Sequence, residues 1–271
     1  MEGSPAAGSA VPQVDTSRPH SARMYDYFLG GKNNFAADRE TADKVLASTP
    51  MARTSARENR AFLGRAVRFL AAEAGIRQFL DIGTGLPTAS NVHEVAQAVA
   101  PASRVVYADN DPMVLAHARA LLVSGDAGAT EYIEADLRDT GTILQEAGRF
   151  LDLTRPVAIT LVAILHAIPD ADDPHAIVAR LLDAVPSGSY IAFTHLGSEL
   201  LDPETLTGLE ELSSNSMQQR MGFRDRRAVE RFLDGTDPVD PGLVRAEQWR
   251  PEPGTENTAQ SCLWGVVARK R

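Results

Sequence analysis

The stretch Phe79-Leu80-Asp81-Ile82-Gly83-Thr84-Gly85 decides how the rest of the chain is read. Gln78 to Ile82 reads as a short strand that stops at glycine. Gly83 and Gly85 let the backbone turn tightly and let a bound molecule approach with no Cβ in the way. Asp81 stands at the carboxyl end of that strand. In an open α/β sheet the ligand crevice lies beyond the carboxyl ends of the strands, so this carboxylate is placed to face a ligand.

Toward the C-terminus, strands alternate with helices. Asn91 to Ala100 reads as a helix and Arg104 to Ala108 as a second strand. Asp111-Pro112 supplies an N-cap followed by proline at the first helical position, opening a helix through Leu115, Ala118, Leu121 and Leu122. Glu131 to Ala135 reads as a third strand. Pro156 to Leu165 is a nearly continuous apolar run, expected of a central strand covered on both faces. Asp173-Pro174 repeats the cap-proline device and opens a helix through Leu182. Tyr190 to Thr194 reads as a fifth strand. This alternation predicts a mostly parallel sheet with helices on both faces. The chain ends differently: Leu243 to Trp249 and Cys262 to Ala268 are strand-like, with only a Pro/Gly-rich turn between them. They are expected to pair as an antiparallel hairpin at the sheet edge.

Toward the N-terminus the periodicity is helical. Thr54 to Ala74 carries Phe62, Ala66, Phe69 and Leu70 at helical spacing, which makes a buried stripe. Asp38 to Ala47 and His20 to Leu29 read as shorter helices, the latter stopped by Gly30-Gly31. Met1 to about Val14 offers little to bury. The expected organisation is a disordered tail over 1–16, an N-terminal helical extension over 17–75 and an α/β domain over 76–271. A helical insertion is expected near 203–221, ahead of a helix from Asp225 to Leu233. In it Met217, Gln218, Arg220 and Met221 either face the pocket at that same sheet edge or pack on the surface.

A length of 271 residues suits one large α/β domain with additions or two small domains. The net charge of -9 argues against a general nucleic-acid binder. Arg53, Arg57, Arg60, Arg65 and Arg68 on the long N-terminal helix are partly offset by Glu58 and Glu73 and read as a solvated face. The single cysteine, Cys262, excludes an intrachain disulfide and reads as a small core residue in mid-strand. No clustered His/Cys set calls for a metal. No apolar run approaches the ~20 residues that span a bilayer, and no signal-peptide core opens the chain. A soluble, cytoplasmic protein is expected.

Two further acids follow the glycine loop. Asp109 ends the second strand, about 20 residues past the glycines, where an acid holds ribose hydroxyls; its alternative role is to start the turn before Asp111. Asp136-Leu137 ends the third strand. There Asp136 either meets an adenine amino group, with Leu137 packing on the ring, or caps the next turn. A dinucleotide fingerprint asks for a small third residue where Thr88 stands, preceded by Pro87. A pyrophosphate would also be repelled by Asp81, whereas the ammonium of S-adenosylmethionine would be attracted.

Taken together, Asp81 to Gly85, Asp109 and Asp136 resemble the first three motifs of class I S-adenosylmethionine-dependent methyltransferases, and the terminal hairpin resembles the reversed last strand of that Rossmann-like fold. The run Pro19-His20-Ser21-Ala22-Arg23-Met24-Tyr25-Asp26-Tyr27-Phe28-Leu29-Gly30-Gly31-Lys32-Asn33-Asn34-Phe35-Ala36-Ala37-Asp38-Arg39 is similar to the opening signature of an actinobacterial methyltransferase family once catalogued as a domain of unknown function. Asp81 to Thr88 and Tyr107 to Pro112 match it too. The resemblance implies S-adenosylmethionine held by Asp81, Gly83, Thr84, Gly85, Asp109, Asn110, Asp136 and Leu137, and no particular substrate.

The signature segment is expected either to close over the cofactor or to pack as an ordinary helix-turn. As a lid it would bring Tyr27, Gly30, Lys32 and Asn33 nearest, with Arg23 or Lys32 pairing with the methionine carboxylate. His166, at the end of the fourth strand, is the candidate base, with His195 at the end of the fifth as the second choice. The alternative for either is a histidine satisfied within the structure. Methyl transfer needs no dedicated base, because the sulfonium is already activated and positioning supplies much of the rate. The leading expectation is a methyltransferase acting on a small molecule. The alternatives are a non-catalytic S-adenosylmethionine-binding regulator and an NAD-dependent oxidoreductase.

Overall fold

β1 (Gln78–Ile82) is buried at every position, as a strand covered on both faces must be. It pairs in parallel with β2 (Arg104–Asp109) on one side and β4 (Ala158–Leu161) on the other. β3 (Ala129–Glu134) lies outside β2, and β5 (Tyr190–Leu196) outside β4, both parallel. Beyond β5 the sheet reverses. β8 (Leu263–Lys270) runs antiparallel to β5, and its far side is shared by two short strands, β6 (Thr236–Pro238) and β7 (Val244–Arg245). The spatial order is β3-β2-β1-β4-β5-β8-β6. The order reverses between β1 and β4, which opens the crevice in which such sheets bind ligands. This computed structural model describes residues 15–88, 90–121, 127–216, 220–252, 254 and 260–271. The tail at 1–14, Leu122, Met217 and Gln218 lie outside the described residues.

The period of two along each strand builds two cores. Phe79, Val105, Tyr107, Ala158 and Val267 face α3 (Ala52–Ala72), α4 (Val92–Val99) and α5 (Pro112–Leu121). Leu80, Val106, Ile159 and Val266 face α6 (Thr140–Ala147), α7 (Pro174–Asp183) and α9 (Arg226–Glu230). The mixed sheet, the helices on both faces and the reversed last strand match the fold expected from the sequence. Among the described residues no helix is long and apolar enough to cross a membrane.

Several details depart from the sequence reading. The apolar run at 156–165 is strand only over Ala158–Leu161. Ala163 adopts a positive φ of 60° and gives its N–H to Thr194 Oγ1 rather than to a neighbouring strand, so the chain leaves the sheet there. His166 therefore sits in a short 3₁₀ turn (Leu165–Ala167), not at a strand end. Helix α6, unexpected from the sequence, starts where Asp139 accepts the N–H of Thr142 at 3.0 Å. The terminal hairpin is short because Ala246–Gln248 turns inward. There Arg65, read as part of a solvated face, donates to the carbonyls of Ala246 and Trp249. Cys262 precedes β8 instead of lying within it.

The N-terminal extension is α1 (Ser21–Phe28), α2 (Ala36–Ser48) and α3. Asp38 accepts from the backbone of His20 and Phe35 and pairs with buried Arg23 at 2.9 Å. Asp26 accepts from Asn33 and Asn34, and Gly31 leaves the space that Asp26 fills. Much of the signature thus holds its own two turns together.

Candidate functional site

One cavity runs along the carboxyl ends of the parallel strands under α1, α2, α3 and α8 (Pro203–Ser216). At its β1–β3 end the glycine loop folds back on β2. Gly83 has φ +76° and donates to Ala108 O at 2.8 Å; a Cβ on it would meet Ile164 at 2.8 Å. Gly85 has φ +67° and donates to Asp109 Oδ2 at 2.9 Å, while Asp109 Oδ1 accepts from Asp111 N. One carboxylate therefore binds two loops. Burial raises the pKa of Asp109 against the pull of those hydrogen bonds. Asp81 accepts a short bond from Thr160 Oγ1, and burial pushes its pKa up to about 6. Asn110 Nδ2 reaches Asp136 Oδ2 at 2.9 Å, and Asp136 also holds Arg138. Leu137 is buried beside them.

Beyond β4 and β5 the wall changes. Ala163, Thr194, Asn59 and Tyr25 form a chain of hydrogen bonds from the β4 turn through β5 and α3 to α1. Ala163 N–H and Thr194 Oγ1 are 2.9 Å apart. Thr194 donates to Asn59 Oδ1 at 2.6 Å, and Asn59 donates to the Tyr25 hydroxyl at 2.8 Å. His166 lines the cavity at 8% exposure, and its Nδ1 has no hydrogen-bond partner. Burial, helped by the charge of Arg224, pushes its pKa down to about 4, so the ring is neutral in neutral water. Arg224 braces this turn. It donates to Leu165 O, Ile168 O and Asp170, and to Nε2 of His195 at 2.6 Å.

The structure brings Asp81, Gly83, Thr84, Gly85, Asp109, Asn110, Asp136, Leu137 and His166 to this one cavity. His195 is not on the wall. Its Nε2 accepts from Arg224 and its Nδ1 donates to Leu196 O, so it is satisfied within the core. Nor do Tyr27, Gly30, Lys32 and Asn33 reach the cavity. Tyr27 bonds Asp43, and Gly30, Lys32 and Asn33 are exposed. Arg23 is held by Asp38. The signature meets the cavity through the other face of α1, with His20, Ser21, Met24, Tyr25 and Phe28. His20 Nδ1 lies 3.3 Å from Asp111 Oδ2, which sets α1 against the β2 loop. Arg60 also lines the cavity near Asp81. Its spacing from Ala56 and Leu63 carried the missed signal, because those three lie along one face of α3.

A glycine loop tied to Asp109, with Asp81 and Asp136 at the neighbouring strand ends and a helical roof above, has the parts that a nucleoside bearing an amino acid needs. Residues 7–271 match the model of the S-adenosyl methyltransferase family. The chain belongs to this family. It is similar to the crystal structure of a DUF574 family protein from Streptomyces avermitilis, with 44% identity and a TM-score of 0.91, covering 96% of this chain and 100% of that one. It is also similar to a putative methyltransferase from Thermobifida fusca, with 41% identity and a TM-score of 0.86, covering 95% and 97%. No curated protein matches the chain. The fold is that of class I methyltransferases, and the cofactor is S-adenosylmethionine rather than NAD. The donor set fits it: a buried carboxylate for an ammonium, a guanidinium beside it, and polar groups at two further strand ends. Among the described residues no cluster of His, Cys, Asp or Glu is placed to hold a metal ion.

Proposed function

We propose that the chain methylates a small molecule in the cytoplasm. The observation that carries this reading is the continuity of the cavity from the acids of β1–β3 to the uncharged chamber beyond β4 and β5. Asp81 faces the methionine ammonium and Arg60 the carboxylate, in place of Arg23 or Lys32. Asp109 and Asn110 meet the ribose. Asp136 and Leu137 meet the adenine. The extension over 17–75 covers the cofactor through His20 and Tyr25, not through Tyr27 and Lys32. Bound there, S-adenosylmethionine supplies a methyl group already activated by its sulfonium. The protein's part is to position the acceptor and exclude water. Calorimetry with S-adenosylhomocysteine tests the assignment. Arg60→Ala is expected to weaken binding at least tenfold, and Lys32→Ala to leave it unchanged. The reverse pattern, or no binding to the unaltered protein, would overturn it.

A further inference from the structure

The cavity's charges are unevenly distributed. Its carboxylates and guanidiniums are Asp81, Asp109, Asp136 and Arg138 at the β1–β3 strand ends, and Arg60 beside Asp81. Sheet order separates the four strand-end groups from the chamber beyond β4, β5 and the start of β8, while Arg60, on α3, is near enough to Asp81 and to Tyr25 to act on both. Among the described residues that chamber is walled by apolar side chains such as Phe28, Val45, Leu209, Leu212, Phe223 and Leu263. Its polar groups are neutral, and several are already engaged. Ser55 and Cys262 bond each other, and the Tyr25 hydroxyl lies between Asn59 Nδ2 and Ala56 O. His166 is the exception: its buried, neutral ring lines the chamber with no side-chain hydrogen bond among the described residues, its Nδ1 enclosed by protein and the rest of the ring edge left for a ligand.

We propose that this chamber takes a neutral, largely apolar acceptor whose single hydroxyl is received by His166. This rests on the cofactor reading above and adds the acceptor class. With Arg60 engaged by the cofactor carboxylate, a charged head group would lose its water with no opposite charge among the described residues of the wall to replace it, which is costly. That disfavours an aliphatic amine, protonated at neutral pH, and a carboxylate, ionised there. A phenolic or enolic hydroxyl is neutral and offers the one hydrogen bond that the chamber lacks. In the transfer, the hydroxyl oxygen forms the O–CH3 bond as the S–CH3 bond breaks, its electron pair remaining on sulfur. The proton becomes strongly acidic as the oxygen is alkylated, so the weak base His166 can take it and pass it to water.

Three probes that share one ring system and differ in charge test this: 1-naphthol, 1-naphthoate and 1-naphthylmethylamine, titrated into protein saturated with S-adenosylhomocysteine. Naphthol is expected to bind at least tenfold more tightly than either ion. His166→Ala is expected to weaken naphthol about fivefold, the worth of one hydrogen bond, and His166→Gln, which keeps an acceptor, to weaken it less. Either ion binding as well as naphthol would overturn the proposal, as would the binding of none of the three or His166→Ala having no effect. Saturation with S-adenosylhomocysteine is itself the control. Its failure would bring down the cofactor reading, whereas its success without naphthol preference brings down this inference alone.

Discussion

At the β1–β3 end of the cavity, acids stand at strand ends and two positive-φ glycines bring backbone up to them. Beyond β4 and β5 the wall is uncharged among the described residues, and the imidazole that lines it, His166, belongs to a turn outside the sheet. The first end is built for one fixed ligand, with each polar group set by a hydrogen bond to its neighbour. The second is built for exclusion of water and for shape. On the functional reading proposed above, the difference teaches that a common donor can be recognised by short local motifs, while an individual acceptor would be recognised by surfaces drawn from α1, α2, α8 and β8 together.

Arg224→Ala should have the largest effect and act at the second end. It leaves two carbonyls and His195 Nε2 without their buried donor, which should cost about 3–5 kcal/mol of folding stability. Denaturant unfolding measures that loss. Calorimetry should show S-adenosylhomocysteine affinity within twofold of the unaltered protein; a tenfold loss would erase the distinction between the two ends. Gly83→Ala probes the first end. Its φ of +76° and the 2.8 Å approach to Ile164 should together cost about 2–4 kcal/mol and abolish detectable S-adenosylhomocysteine binding.

The two ends should also titrate in opposite senses. Asp81 is protonated in the folded state up to about pH 6, whereas the unfolded chain ionises it near pH 4. Its contribution to stability is therefore present below pH 4 and lost as pH rises toward 6. His166 remains neutral down to about pH 4, whereas the unfolded chain protonates it near 6.5. Its contribution is present above 6.5 and lost as pH falls toward 4. Between pH 4 and 6, Asp81→Asn should thus shift the slope of stability against pH upward by up to about 1.4 kcal/mol per unit, and His166→Gln downward by a similar amount. Equal slopes in all three proteins would break the comparison. The smallest effect belongs to Tyr25→Phe, which removes the hydroxyl between Asn59 Nδ2 and Ala56 O and should lower stability by about 1 kcal/mol.

The same contrast explains how much was legible in the sequence. Asp81 to Gly85 sit within one strand and its turn, so their place at the carboxyl edge of the sheet follows from local spacing. The cap-proline pairs at Asp111-Pro112 and Asp173-Pro174 mark helix starts by the same local logic, and for the second the Asp173 side chain accepts from Ala176 N. His166 was legible as a residue of the cavity edge but not as one in a turn. The cue that ends β4 is Thr194 capturing the Ala163 N–H from 31 residues away. β6 was missed because Thr236-Asp237-Pro238 is short and ends in proline; it is a strand because β8 stands beside it. The signature at 20–39 was overread as a lid edge, since Asp26, Gly31, Asp38 and Arg23 mainly fix its own turns.

The hydrogen-bond chain from Tyr25 through Asn59 and Thr194 to Ala163 has a consequence for how such proteins diversify. Thr194 both donates to the helical roof and receives from the β4 turn, so the two cannot be exchanged independently. A chimera that grafts residues 17–75 from a relative would inherit a new roof but keep the old turn. It would work only where the incoming side chain at position 59 still accepts from Thr194. In this chain the helices and the β4–β5 edge are thereby coupled into one transplantable block.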